Sequence, residues 1–151
     1  MPLLTLALVC LFAPVVGFAI QYTLGRRILR RGDLLTVVAI GISLVCSILI
    51  AVQLLRDPAS HQWSRAWFNP FGAGAAPLTV GIAIDGLTAV MLVVVTLVSF
   101  LVHVFSLGYM KGDPQYPLFF AWLQMFSVSM LLLVLADNLL LLVVGWELVG
   151  L

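Results

Sequence analysis

Glu147 is the carboxylate in this sequence that stands inside an apolar run, and a carboxyl in that setting has a limited chemistry: it takes up a proton or gives one away. The run begins at Leu139, and eight residues at 1.5 Å each carry the chain roughly 12 Å inward, close to the middle of a hydrocarbon layer ~30 Å thick. One helical turn either side of Glu147 stand Val143, Val144, Gly150 and Leu151, so the segment supplies no counter-charge of its own. Burying the ionised form there costs at least ~2.5 kcal/mol. The group must therefore hold a proton or find a cation on another helix, and a carboxyl that alternates between those states is a proton relay. The plainer alternative is a protonated Glu that hydrogen-bonds a neighbouring helix. Gly145 and Gly150 flank it, and allow close helix approach or local unwinding under either reading.

His103 is the second candidate for the proton path. At about 100° per residue, Thr88, Thr96, Ser99, His103 and Ser106 fall within an arc of roughly 80°, a stripe expected to face protein or water rather than lipid. Gln124 and Ser127 make a smaller polar patch further on. Against this, hydroxyls commonly return hydrogen bonds to their own helix, and a histidine in such a place is often a packed one. Cys10 and Cys46 sit at comparable depths of two apolar runs and read as small packing residues rather than a disulfide or a metal pair. There is no CxxC, no His/Cys cluster, no Gly-rich phosphate loop and no GxGxxG, so neither metal nor cofactor is expected in this chain.

The frame that must hold these groups follows from composition. Of 151 residues, 64% are apolar and 9% charged, with a mean hydropathy of +1.23; ordinary soluble domains are ~45–50% apolar and ~25% charged. A domain of this length still exposes roughly 30% of its unfolded-chain surface. A soluble enzyme, a disulfide-stapled secreted module and a disordered chain are thereby excluded. Seven Lys+Arg against six Asp+Glu give a net charge of +1, which removes the usual basic nucleic-acid binder as well. The lipid bilayer is the first partner.

The charges divide the chain into uncharged runs over residues 2–24, 34–55, 86–110 and 114–136, each of about 22 to 25 residues and long enough to span. An incomplete fifth run covers 139–151, about 20 Å and too short to cross. The expected fold is an all-α membrane protein of four complete transmembrane helices and the start of a fifth. Asp85 and the pair Asp137-Asn138 are placed to cap the helices that follow them. Pro14 is tolerable inside a membrane helix. The first run lacks a basic n-region and is too long for a typical signal peptide, so it reads as a retained helix. Between 56 and 85, Trp63, Trp67 and Phe68 are interface-type aromatics, Gly72, Gly74 and Pro77 punctuate, and Leu78, Val80, Ile82 and Ile84 alternate with smaller or polar residues. A short external hairpin or strand is expected there, packing laterally against a neighbour. Arg26, Arg27, Arg30 and Arg31 make the strongest orientation signal; placing them inside brings Lys111 inside and leaves Arg56, Arg65 and the N-terminus outside. The same basic run suits an anionic lipid patch, though topology alone accounts for it.

Around Glu147 a set of short words follows in one order: Ile84-Asp85-Gly86-Leu87, Phe105-Ser106-Leu107-Gly108-Tyr109-Met110, Asp113-Pro114, Phe119-Phe120, Met130, Leu135-Ala136-Asp137-Asn138-Leu139-Leu140 and Gly145-Trp146-Glu147-Leu148-Val149-Gly150-Leu151. This order resembles the N-terminal part of the large antiporter-like subunit of respiratory complex I, called subunit L in bacteria and subunit 5 in mitochondria. The resemblance is close from about Ile84 onward and general over residues 1–70. It implies proton translocation in a membrane arm, driven by NADH:quinone electron transfer in other subunits. It makes Glu147 the proton-channel residue and other membrane-arm subunits, paralogous antiporter-like ones included, the partners. It also implies a bacterial plasma membrane, with the mitochondrial inner membrane second, and a fragment or a split subunit, since the family's Lys partners and broken helices belong to later sequence.

Three other readings compete. The large subunit of multi-subunit Na+/H+ antiporters shares the embedded Glu. A membrane scaffold that transports nothing would leave Glu147 without a role. A four-helix multidrug exporter with one membrane Glu fits poorly, because here the Glu follows four complete helices.

Overall fold

The computed structural model describes residues 2–25, 33–57, 59–68 and 78–150. Its elements are α1 (Leu3–Leu24), α2 (Asp33–Arg56), β1 (His61–Phe68), β2 (Leu78–Ile84), α3 (Gly86–Tyr109), α4 (Tyr116–Leu135) and α5 (Leu139–Gly150). The first four helices are each long and apolar enough to cross a membrane, and α5 is a shorter apolar helix of 12 residues. The all-α membrane architecture with a small hairpin is therefore the observed one. The basic run at 26–31 and the turn residues Gly72, Gly74 and Pro77 lie outside the described residues.

Helices α1 to α4 form a ring in which α1 touches α2 and α4, and α3 touches α2 and α4; α5 packs on α4. Outward faces carry large apolar side chains such as Phe12, Val38, Val98 and Leu101, each more than half exposed, as lipid-facing positions require. Inside the ring, apolar residues collect at the hairpin end, where Leu6, Ile50, Leu54, Ile84, Leu92, Leu131 and Leu135 form a buried cluster.

Local chemistry explains the helix contacts. Pro14 has no N–H to offer the carbonyl of Cys10, the residue one turn earlier. That carbonyl instead accepts a hydrogen bond from the Ser43 hydroxyl on α2 at 2.7 Å, while the Cys10 thiol donates to the Ser43 carbonyl at 3.5 Å. The proline thus frees a polar group that α2 satisfies. Gly17 lets α1 and α2 close up, since a Cβ there would lie 2.9 Å from that of Ala39. Between α2 and α3 the Ser47 and Thr96 hydroxyls share a hydrogen bond of 2.8 Å. Helix α4 starts at Tyr116 rather than at Pro114. Gly112, at φ +96°, turns the chain back, and the Asp113 carboxylate accepts from the Gln115 N–H at 2.6 Å, which holds the turn open for two more residues.

The hairpin pairs β1 and β2 antiparallel, with Trp63 opposite Ile82 and a register irregularity between Ala66 and Phe68. Trp63 and Ile82 pack against the apolar cluster. Within this chain the hairpin also meets the connection between α4 and α5, through a bridge of Ile82 to Ala136. The lateral packing expected of it is in part an attachment to the chain's own helices.

Candidate functional site

Glu147 reaches its depth through three anchors that the sequence places just before it. Asn138 caps α5: its Oδ1 accepts from the Leu141 N–H at 3.0 Å. The same side chain donates from Nδ2 to the Thr79 carbonyl on β2 at 2.8 Å and to the Asp137 carboxylate at 2.6 Å. Asp137 in turn lies over Gly81, where any Cβ would collide with its carboxylate and with the Trp63 carbonyl. The Ala136-Asp137-Asn138 word is therefore a clasp between the hairpin and the start of α5. The third anchor is Gly145, buried against α4, where a Cβ would lie 2.9 Å from the Leu133 nitrogen and 3.0 Å from its Cα. Close approach is the use of this glycine, whereas a Cβ at Gly150 would meet nothing within 4 Å.

With Gly145 turned toward α4, Glu147 stands two residues on, on the far side of the helix. It is exposed on the face of α5 that this chain leaves uncovered, beside Val143, Val144 and Trp146. Among the described residues no polar group pairs with it. Any group that pairs with Glu147 must come from beyond them.

His103 is elsewhere. It is fully buried between α3 and α4, and its Nδ1 is hydrogen-bonded to the Ser99 carbonyl at 2.7 Å. Phe120 stands beside the ring, with centroids 6.2 Å apart. Thr96, Ser99 and Ser106 of the polar stripe are buried with it, and Thr88 is partly so, which puts the stripe toward the protein interior. Gln124 and Ser127 face it from α4, both fully buried. His103 and Glu147 are not brought together. Thr96 and Ser127 return bonds to their own helices, to the Leu92 and Leu123 carbonyls. Cys10 and Cys46 are both free and buried.

Two polar contacts escaped sequence reasoning. Asp33, read as a border charge, is buried at the start of α2, where its Oδ2 accepts from the Tyr116 hydroxyl at 2.7 Å and its Oδ1 from the Leu34 N–H at 2.7 Å. Gln21, inside the first apolar run, donates to the Pro117 carbonyl at 3.1 Å. Both tie α4 to the end of the bundle opposite the hairpin. No local signal marks them, since the partners lie 83 and 96 residues apart.

Asp85 caps α3 outside the span, accepting from the Thr88 N–H at 2.7 Å. That backbone hydrogen bond holds its carboxyl below the usual range. Among the described residues no group of three or more His, Cys, Asp or Glu side chains is arranged for a metal.

Comparison with known proteins gives one consistent result. Residues 67–120 match a family model described as NADH-ubiquinone oxidoreductase (complex I), chain 5 N-terminus. The chain is 44% identical over 134 residues, 87% of its length, to the chloroplastic NAD(P)H-quinone oxidoreductase subunit 5 of Mesostigma viride, and covers 20% of that protein. It is 41% identical over 139 residues, 91% of its length, to the F(420)H(2) dehydrogenase subunit L of Methanosarcina mazei, covering 20% of it. To the NADH-quinone oxidoreductase subunit L of Escherichia coli it is 34% identical over 139 residues, 91% of its length, covering 22%. The chain spans about a fifth of the length of these relatives.

Proposed function

We propose, from this chain's kinship with the N-terminal portion of complex I chain 5 and subunit L, that it forms the first membrane helices of a proton-translocating subunit in a quinone-reducing respiratory complex. Electron transfer takes place in other subunits, and this chain contributes Glu147 as a proton carrier. The observation that carries the reading is the placement of Glu147: a carboxylate roughly 12 Å along α5, held there by the Asn138 cap and the Gly145 contact, on a face with no partner among the described residues. A carboxyl so placed is ready to exchange a proton with groups supplied by the rest of the subunit or its neighbours. His103 is a second proton-path residue, enclosed between α3 and α4.

The relatives' names support a division of labour. They differ in the donor they specify, NAD(P)H, NADH or F(420)H(2), while this segment stays recognisable in all of them. The donor is set elsewhere, and the segment serves a step common to all: moving protons through the membrane. Its partners are the other membrane subunits of such a complex. The arginine run supports an orientation with its own end of the bundle inside and the N-terminus outside, in a bacterial plasma membrane. Replacing Glu147 by Gln in the full-length protein tests the reading, by protons moved per electron pair rather than by electron-transfer rate.

A further inference from the structure

The interior between α3 and α4 holds three buried polar atoms without a hydrogen-bond partner: Nε2 of His103 and both amide atoms, Oε1 and Nε2, of Gln124. Both residues are fully enclosed. Leaving such atoms unpaired in an interior that water cannot reach is costly, and buried polar groups in folded proteins are almost always satisfied by protein or by water.

The hydrogen bond on the other side of the ring decides what His103 presents. A backbone carbonyl can only accept, so Nδ1, which meets the Ser99 carbonyl at 2.7 Å, carries the proton. In the neutral ring Nε2 is then the lone pair, and it is the atom left unsatisfied. The Gln124 side chain lies near enough to this imidazole to act on it as a hydrogen-bonding group, but no direct bond between the two meets hydrogen-bond geometry. On its other flank the amide rests against Gly17 of α1, where a Cβ would come within 3.0 Å of the amide nitrogen. Phe120 lines the same space.

We infer that His103 and Gln124 form an enclosed water site, in which one water donates to His103 Nε2 and completes its bonding on the Gln124 amide. A water is both donor and acceptor, and a bridge of this kind satisfies groups too far apart to bond directly. The site lies roughly 9 Å from the Tyr109 end of α3, by helical rise. It gives the imidazole lone pair a proton donor in contact with it. This extends the His103 part of the proposal above, but it is read from hydrogen bonding rather than pumping, so the two fail separately.

A density map of the intact full-length protein, sharp enough for ordered water, should show a peak about 2.7–3.2 Å from both His103 Nε2 and the Gln124 amide. An amide in direct contact with Nε2, or an empty gap, overturns the inference. Solid-state 15N spectra of the same protein give a second readout, with the proton on Nδ1 and Nε2 correlated to water hydrogens. Gln124→Leu should abolish that correlation and Gln124→Glu retain it. If neither variant assembles, the wild-type spectrum decides alone: its water correlation supports the site, and its absence contradicts it.

Discussion

Asn138 and Thr79 lie 59 residues apart, yet the Asn138 Nδ2 donates to the Thr79 carbonyl at 2.8 Å while its Oδ1 caps the helix that carries Glu147. One side chain thus joins the hairpin to α5. Removing either function separately shows what each contributes. Asn138→Ser keeps a cap acceptor and loses the donor to Thr79 without setting a second carboxylate against Asp137, whereas Asn138→Ala loses both. The Ala variant should destabilise the first turn of α5 by about 1–2 kcal/mol. Hydrogen exchange at the Leu141 amide should then accelerate by roughly one order of magnitude, and less for Ser. Equal exchange in all three proteins would show that the clasp holds nothing.

Gly145 sets the distance between α4 and α5, because a Cβ there meets the Leu133 backbone rather than the end of a flexible side chain. Gly145→Ala should cost about 1–3 kcal/mol and displace α5. Gly108→Ala, in α3 with nothing among the described residues within 4 Å of an added Cβ, should be nearly neutral. Thermal unfolding of the two variants checks this, and a similar loss in both would contradict the packing account.

Asp85 gives a pH dependence of known sign. Its carboxyl is lowered by the Thr88 N–H, so the stability it confers is present in full above the unfolded-state pKa of ~3.9 and disappears as pH falls through the lower folded value. Asp85→Asn should keep the cap and remove this part of the acid sensitivity. Asp85→Ala should cost about 1 kcal/mol at neutral pH. Acid titrations of helix content distinguish the three.

Much of this arrangement was legible because membrane helices write themselves in long apolar runs between charges. Asp85 and Asn138 were legible as caps, since a cap is a local relation between a side chain and the next turn. The alternation from Leu78 to Ile84 likewise foretold the strand. What stayed hidden is whatever folding brings together from afar. The spacing of Glu147 gives its depth but not its direction, which depends on Gly145 docking against Leu133. Asp33 looked like a border charge until α4 delivered Tyr116 to it. Pro14 could be called tolerable, but the hydroxyl that takes its orphaned carbonyl, from Ser43, belongs to another helix.

Orientation rests on the arginines at 26, 27, 30 and 31. A cysteine replacing Gly32, in a background without other cysteines, should stay unlabelled by an impermeant thiol reagent added to intact cells. It should label readily once the membrane is opened. Labelling in intact cells would reverse the topology.

The central claim is that Glu147 carries protons. The most direct measurement is proton translocation per electron pair, in vesicles holding the full-length protein in its complex, with Glu147→Gln beside the wild type and Glu147→Asp. The account predicts that Gln lowers the number of protons moved while the complex still assembles, and that Asp, which keeps a titratable group, retains more than Gln. Unchanged pumping by an assembled Glu147→Gln complex would contradict it.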